Sequence, residues 1–448
     1  MKNQLKLLLL ATAMNCFAFS FSDAQDDEAK WWRGNLHTHS LWSDGDDFPE
    51  MIAKWYVDHD YNFLALTDHN VLSVGNRWMD LAAIEKRAGK TALEKYIAEF
   101  GEDWVERRDK PLAKAKASSN PGDQSKPPAS QVRLRPLSEF RGKFEVADKF
   151  LMIQAEEISD RSENRPIHMN AMNLQSVISP VGGKTVVEAI NNNLRAVQEQ
   201  ADQNGEPIMV HLNHPNFGWA VTAEELAKVT NEKFFELYNG HPSINHLGDK
   251  TRPGVEKMWD ICNTLRISEM KTAPMFGLAT DDSHNYHTQS GNKARSGRGW
   301  IMVRANQLNA ESLIGAINQG EFYSSSGVEL ESVKFDQGTG KLSLEIKPQT
   351  GQTFRTSFIG TMADYDRSAQ IQLDADGKPI RATRIYSKDV GKEFKISDSL
   401  RPEYQMTGNE LFVRAVVTSS RQHRDPSFKN QKEQAWTQPV VWTKTEKE

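Results

Sequence analysis

The sequence predicts an α/β protein in which β–α units surround a parallel sheet or barrel, followed by a small β-rich domain. Two observations support this prediction. From about residue 30 to Val328, short apolar runs alternate with segments of helical periodicity. From Glu329 to residue 448 the apolar residues recur with period two, without a convincing helical pattern. We therefore expect one domain over residues 30–328 and a second over residues 329–448.

The first domain begins with a strand at Gly34–Thr38 and a helix that opens near Pro49, because proline is tolerated in the first helical turn. Later strands are predicted at residues 62–66, 150–155, 207–212, 234–238, 275–279 and 299–304. Further helices are predicted after the capping residues Thr185 and Thr222, and over residues 309–318. Strands and helices thus alternate along the chain, as β–α units require.

Residues 77–149 interrupt this alternation and resemble an insertion. Two helical stretches, 78–87 and 91–107, lead into residues 118–131, which are rich in Ser, Pro, Gly and Asn. That composition is typical of a flexible loop. An insertion beside strand ends could act as a lid.

The second domain is predicted to be a small β-sandwich-like unit. Residues 333–336, a Gln-Gly-Thr-Gly turn and the alternating Leu342, Leu344 and Ile346 form a hairpin pattern. Residues 411–418 and 440–443 are further strand candidates.

The N-terminal sequence indicates where the protein is located, and the net charge restricts the partners that it can bind. Lys2 and Lys6 precede an apolar run over residues 7–21, and Ser22-Asp23-Ala24 offers the small residues that a signal peptidase reads. We expect residues 1–24 to be a signal peptide and the mature protein to be periplasmic or secreted. The alternative, an uncleaved anchor, is disfavoured because the run is short for a span of about 20 residues. The net charge of -5 argues against nucleic-acid binding.

Cysteine usage restricts the chemistry of any metal site. The chain has only Cys16 and Cys262, and removal of the signal peptide leaves one of them. No intrachain disulfide can then form. Two cysteines also exclude a thiolate zinc site, so a metal would sit on imidazole and carboxylate.

His37 and His39 are the first candidates for such a site. Side chains two apart on a strand point the same way, so both imidazoles can reach one ion at about 2.0–2.1 Å. Similar residues follow most predicted strands of the first domain: Asp44, Asp68, His69, Glu156, Glu157, His168, His211, His214, Asp281, Asp282 and His284. Each alone has an ordinary explanation as a turn, cap or packing residue. In a barrel of β–α units, the strand ends that carry these residues would meet at one end of the barrel. Bound cations there would offset the repulsion between these side chains.

The motifs resemble those of the PHP (polymerase and histidinol phosphatase) superfamily. His-Thr-His-Ser, Thr-Asp-His-Asn, Ala-Glu-Glu-Ile-Ser, a later His, His-Pro and Asp-Asp-Ser-His occur in the order of its motifs, over roughly residues 32–328. Within it, residues 320–328 and 435–441 are similar to the CehA/McbA-like metallohydrolases. The resemblance implies a distorted (β/α)7, TIM-like barrel that holds two or three divalent ions, Zn, Mn or Fe.

The resemblance also implies which residues bind each ion. The first ion would take His37, His39 and Asp282, with Glu157 bridging to a second ion on His168 and His214. A third ion would take Asp44, His69 and His284. Glu156 and His211 remain alternatives to Glu157 and His214. The catalytic candidates are Asp68, Asp282 and His284. We expect Asp68 to orient a metal ligand rather than to transfer a proton directly.

A metal-activated hydroxide would attack phosphorus or a carbonyl carbon, and we expect a phosphoesterase with a small phosphorylated substrate. Loop arginines could clamp a phosphate, although solvated surface arginines are equally ordinary. The substrate candidates are Arg161, Arg165, Arg295, Arg298, Glu236, Tyr238, Asn239 and His241. The alternatives are hydrolysis of an ester, carbamate or amide and, in another class, a non-catalytic glycan- or protein-binding module. The binding module is disfavoured because every ligand position is filled.

Overall fold

The computed structural model describes residues 29–109, 130–288 and 291–444. The predicted signal peptide, residues 1–24, and most of the predicted loop at 118–131 lie outside these ranges. Within them, no helix has both the length and the apolar character needed to cross a membrane.

The strands and helices of the first part of the chain are, in order, β1 (Lys30–Asn35), α1 (Pro49–Asp58), β2 (Phe63–Leu66), β3 (Arg77–Asp80), α2 (Leu81–Ala88), α3 (Ala92–Phe100), β4 (Arg107–Asp109), β5 (Ser130–Leu134), α4 (Leu137–Phe140), β6 (Leu151–Ser162), β7 (Arg165–Met172), α5 (Val186–Asn204), β8 (Met209–Leu212), α6 (Ala223–Lys228), β9 (Phe234–Asn239), α7 (Val255–Ser268), β10 (Phe276–Thr280), β11 (Trp300–Ala305), α8 (Ala310–Asn318) and β12 (Phe322–Ser325). Only strands follow in the described residues beyond 328: β13 (Leu330–Asp336), β14 (Lys341–Ile346), β15 (Phe354–Met362), β16 (Ala369–Gln370), β17 (Ile385–Tyr386), β18 (Lys392–Ser397), β19 (Glu403–Gln405), β20 (Glu410–Gln422) and β21 (Lys432–Thr437).

The large sheet is mixed and open. Its 13 strands run in the order β10-β9-β8-β7-β6-β2-β1-β11-β12-β21-β20-β15-β18. Only β1–β2–β6 and β8–β9–β10 pair in parallel. An α/β protein with a large sheet is therefore found, but the sheet is not closed, and the predicted distorted (β/α)7, TIM-like barrel is not found.

Two local features explain why the sheet neither closes nor stays parallel. Glu163 and Asn164 both have positive φ, 51° and 59°, which joins β6 and β7 as an antiparallel hairpin. At the far edge, the backbone of Gly277 in β10 bonds to side chains instead of a strand. Gln438 accepts from its N–H at 2.9 Å and donates to its carbonyl at 3.0 Å, and the Ser324 hydroxyl donates to the same carbonyl at 2.8 Å. These side chains take the place of the ladder that closure would need.

The C-terminal strands continue the large sheet. β21 pairs antiparallel with β12, so β20, β15 and β18 extend the sheet. A separate sheet, β13-β14-β19, packs on it through a shared core that includes Leu342, Phe358 and Val413. The predicted hairpin is found as β13 and β14, whereas residues 440–443 contribute a single bridge between Val440 and Val413. The domain boundary at 328/329 stays a prediction.

The described part of the insertion docks on the segment that follows His39. Its three-stranded sheet, β3-β5-β4, and α2 and α3 share a core with Leu41, Trp42 and Phe48. A buried carboxyl group, Glu50 in α1, accepts hydrogen bonds from Tyr96 at 2.6 Å and Trp104 at 3.3 Å. The described part is thus packed against the first domain.

Glu50 should make folding stability depend on pH. Burial raises the pKa of its carboxyl group from 4.5 to about 7. The folded protein therefore keeps this proton to higher pH than the unfolded chain does, so the stabilisation is complete below pH 4.5 and is lost as the pH rises through about 7. Between pH 5 and pH 8, the free energy of unfolding should fall by about 2 kcal/mol more in the wild type than in Glu50→Gln. Denaturant titrations at both pH values would show equal falls if this reading is wrong.

Candidate metal centre

The candidate ligands lie where strands end along one edge of the sheet. His37 and His39 follow β1, His69 follows β2, and Asp282 follows β10. Short parallel bridges join these ends, from Thr38 to Ser283 and from His69 to Glu157 in β6. Because the carboxyl ends of parallel strands meet at one edge, side chains from distant sequence positions come together here. His168 arrives on β7, a strand that the sequence analysis did not predict.

His37, His39 and Asp282 form one buried group. The two Nε2 atoms of His37 and His39 lie 3.1 Å apart. Asp282 Oδ1 lies 3.2 Å from the first and 3.3 Å from the second. None of the three side chains is more than 6% exposed. These atoms are one of the groups within the described residues that could hold a metal ion.

Glu157 lies at the centre of the ligand set. Its Oε1 is 3.0 Å from His168 Nδ1 and 3.7 Å from His214 Nε2, and its Oε2 is 2.6 Å from His69 Nδ1. The carboxylate also lies 3.5 Å from His37. Its oxygens therefore touch imidazoles from several parts of the chain, as a bridging ligand would.

Asp44 joins the outermost group, with His39, His69 and His284. Its carboxylate oxygens lie 3.4 Å from His284 Nε2 and 3.5 Å from His69 Nε2. Its side chain is 53% exposed. This group therefore forms the side of the site that faces solvent.

The structure brings all nine predicted ligands into these neighbouring groups. The structure also distinguishes the two pairs of alternative ligands, Glu156 from Glu157 and His211 from His214, by where their side chains lie. Glu156 points away and accepts from the Ile178 N–H at 2.6 Å, whereas Glu157 faces the imidazoles. His211 lies deeper than His214 and meets Glu236 at 3.5 Å. It shares a further candidate group with His37 and Glu236.

The charges of the clustered ligands favour the binding of a cation. Burial acts to raise the pKa of Glu157, but the imidazoles, His168 foremost, outweigh it and hold the pKa well below its usual range. Burial acts to lower the pKa of His69, but Glu157 and other carboxylate interactions raise it to about 11. Burial, followed by His284, lowers the pKa of His39 to about 3. The carboxylates therefore stay charged while one of the central imidazoles stays neutral, as a metal ligand must be.

The atoms themselves fit a divalent ion. His37 Nδ1 lies 2.6 Å from a carboxylate oxygen of Glu236, so in the neutral ring the proton would sit on Nδ1 and Nε2 would have a lone pair for an ion. That Nε2 meets His39 Nε2 and Asp282 Oδ1 at 3.1 and 3.2 Å. Ligand atoms at about 2.0–2.1 Å from a tetrahedral ion lie about 3.3–3.4 Å from each other. In addition, Glu157 Oε2 and His168 Nδ1 are buried without a hydrogen bond of normal geometry.

Glu236 and Asn239 support the ligands. Glu236 is 1% exposed, and its carboxylate contacts His37 Nδ1, the Thr280 hydroxyl and the His214 N–H. Asn239, also 1% exposed, donates to Glu236 and Asp282. Both residues therefore lie behind the ligands, and their contact with substrate stays a prediction. Tyr238 is likewise buried and contacts Ser427 and Gln431.

Replacing Glu236 with glutamine should weaken the site without removing any of the nine predicted ligands. A carboxylate on the far nitrogen of a ligand histidine fixes the orientation and tautomer of the ring. The amide would leave the ring less firmly held, and we expect metal affinity or activity to fall by about 10–100-fold. Titration of metal into the stripped variant would measure this. An affinity within twofold of the wild type would contradict the role given to Glu236.

Asp68 holds the loop that carries Asp44. Its carboxylate accepts from the Ser40 N–H at 2.8 Å, the Ser40 hydroxyl at 2.7 Å and the Ser43 hydroxyl at 2.5 Å. Burial raises the pKa of this carboxyl group. Asp68 lies in none of the candidate metal groups among the described residues. Its contacts are with the loop that carries Asp44, and its role in orienting a ligand stays a prediction.

The predicted arginines differ in what they contact. Arg298 is 1% exposed and bonds to Asp425 and the Gly240 carbonyl, and Arg295 also bonds to Asp425. Both guanidinium groups therefore already bind Asp425, and their contact with a phosphate stays a prediction. Arg165 donates to the Trp219 carbonyl at 3.3 Å. Arg161 is exposed on β6, on the same face as Ser159 and Glu157.

His241 lies beside the outermost group. Its ring is 5.4 Å from that of His284, and its Nδ1 accepts from the Ser243 N–H at 3.1 Å. This leaves Nε2 to carry the proton. His241 therefore keeps its place as a substrate candidate.

Sequence analysis missed Asn213. Its side-chain amide donates to Glu157 Oε1 at 2.7 Å and to Asn170 at 2.9 Å. It precedes His214 in His-Leu-Asn-His-Pro, and that position was the only signal that could have indicated it.

Neither a protein-family model nor a curated protein matches this sequence. Among solved structures, the chain is similar to a two-domain protein from Bacteroides vulgatus ATCC 8482 that is described as containing a predicted PHP-like metal-dependent phosphoesterase. The two chains are 14% identical, with 92% of this chain and 96% of that chain covered and a TM-score of 0.37. The neighbour is thus described as PHP-like, the superfamily that the motifs resemble. It does not bear on the CehA/McbA-like branch, which stays a prediction.

Proposed function

We propose that the chain is a metal-dependent hydrolase of the PHP type that acts as a phosphoesterase on small substrates. The observation that carries this proposal is the convergence of three lone-pair atoms, from His37, His39 and Asp282, at 3.1–3.3 Å from one another. Glu157 connects this group to a second and a third set of imidazoles. Adjacent ion sites of this kind suit a phosphoryl group, whose oxygens can each meet a cation.

Divalent ions in these groups would supply Lewis-acid activation of water and of the substrate oxygens. The residues of the chain then have separate tasks. Glu236 orients His37, and Asp68 holds the loop of Asp44. We expect the partly buried His241 and the exposed Arg161 to meet a substrate that enters from the side of Asp44. The signal-like N-terminus supports a periplasmic or secreted location, and the net charge of -5 supports a substrate other than nucleic acid.

The test is a hydrolysis screen with metal-reconstituted full-length protein. Phosphomonoesters, carboxylic esters, carbamates and amides are offered in parallel with Mn²⁺ or Zn²⁺, and His39→Ala is the control. We expect phosphate release that disappears in the variant. Turnover of esters, carbamates or amides without phosphate release would replace the phosphoesterase proposal with the alternative hydrolase. No turnover in any class would overturn the hydrolase assignment.

A further inference from the structure

Two arginines of the insertion flank the loop that carries Asp44. Arg87 in α2 donates from Nη1 to the Ser43 carbonyl at 2.5 Å and to the Gly45 carbonyl at 3.4 Å. The guanidinium of Arg77 in β3 lies 5.4 Å from the centre of the Trp42 ring. Both arginine side chains are exposed. The insertion thus places one cation on the loop that carries Asp44 and a second against Trp42, which precedes that loop.

This loop is in direct contact with the ligand backbone. Gly45 packs so closely on His39 that an added Cβ would lie 2.3 Å from the His39 carbonyl oxygen. Asp44, between the two carbonyls that Arg87 binds, faces His69 and His284. Arg87 is therefore anchored on the same short segment that supplies a metal ligand.

The anchoring leaves most of the guanidinium of Arg87 available. Guanidinium carries five N–H donors, and only Nη1 is used here, so Nη2 and Nε have no partner within the residues that the structure describes. Neither Arg77 nor Arg87 has a carboxylate within 4.0 Å across those same residues. A guanidinium held along one edge presents its other edge in the geometry that suits a carboxylate or phosphate.

We propose that Arg87, assisted by Arg77, recognises a second anionic group on the substrate, away from the phosphoryl group at the metal centre. This inference rests on the proposed function, because it takes the reacting group to lie at the metal ligands. The insertion is then a specificity element. It makes the enzyme prefer substrates that carry an additional carboxylate or phosphate.

The test compares two aryl phosphates of the same shape, 4-carboxyphenyl phosphate and 4-carbamoylphenyl phosphate, which differ in one negative charge. The wild type should prefer the carboxylate. In Arg87→Gln the ratio of the two kcat/KM values should fall about tenfold, since one charged hydrogen-bonding partner is lost. Arg77→Gln should lower the ratio by a smaller factor, and Arg87→Lys should restore part of it.

Arg195→Gln is the matched control. Arg195 is an exposed arginine on α5 whose closest polar contact is Asn192 at 3.5 Å, and its loss should leave the preference unchanged. Binding of both compounds to metal-loaded protein, by calorimetry, separates the two proposals. A charge preference in binding that Arg87→Gln removes, without hydrolysis, would support the recognition site and reject the phosphoesterase. Equal binding and equal turnover of the two compounds by the wild type would overturn the inference.

Discussion

Glu157→Gln is expected to lower kcat/KM by at least about a thousandfold, which corresponds to roughly 4 kcal/mol of lost transition-state stabilisation. Glu157 is the carboxylate whose oxygens meet His168, His214 and His69. An amide carries no charge to offset bound cations, and its NH2 group would face an imidazole. The amide oxygen can still accept from Asn213, so the fold should persist.

The neighbouring Glu156 provides the matched control for this prediction. Its carboxylate bonds to the Ile178 N–H, away from the ligands, and burial raises its pKa to about 7. A neutral amide therefore resembles its protonated form. Glu156→Gln should retain activity within about threefold of the wild type, consistent with substitutions away from a site. Equal losses in the two variants, or a Glu157→Gln enzyme with more than a tenth of normal activity, would contradict the bridging role.

Divalent metal is expected to raise the Tm of the stripped protein by about 5–10 °C. Each ion at a thousand times its Kd contributes about 4 kcal/mol to the folded state, and more than one ion is expected. The effect should be large because, without cations, the clustered carboxylates and imidazoles repel one another or lose their hydration. These side chains lie at strand ends that pair with one another through short bridges.

Thermal scans with and without Zn²⁺ or Mn²⁺ measure this shift, and an excess of chelator should reverse it. Glu157→Gln should show a smaller increase than the wild type. A Tm that does not change in millimolar metal would count against a built metal centre.

The ligand residues could be predicted from the sequence because the signal is local. An apolar run that ends in His, Asp or Glu places that side chain at the end of a strand, whichever strand lies beside it. This holds for His37 after β1, His69 after β2 and Asp282 after β10. The order and direction of the strands could not be predicted in the same way, because periodicity does not specify a pairing partner. β12 and β21 pair across more than 100 residues, and the turn at Glu163 and Asn164 makes β7 antiparallel.

The contacts within the site that the sequence did not indicate have the same origin. Arg298 was predicted to bind phosphate because it lies in a loop close to a strand, but its partner, Asp425, lies 127 residues away in the sequence. Glu236 was predicted to line a pocket. It is buried behind His37, and this burial depends on the packing of the whole sheet edge. Arg87 was not predicted at all, since only the docking of the insertion brings it to the Ser43 carbonyl.

The most direct test is to count the ions. The protein, purified without chelator or reconstituted and desalted, is analysed for Zn, Mn and Fe by mass spectrometry, alongside Glu157→Gln. If the ligands between residues 37 and 284 form one cluster that binds cations, the wild type should retain two or three ions per chain. The variant should retain fewer. A wild-type protein that keeps less than one ion per chain after exposure to excess metal would show that these imidazoles and carboxylates meet for another reason.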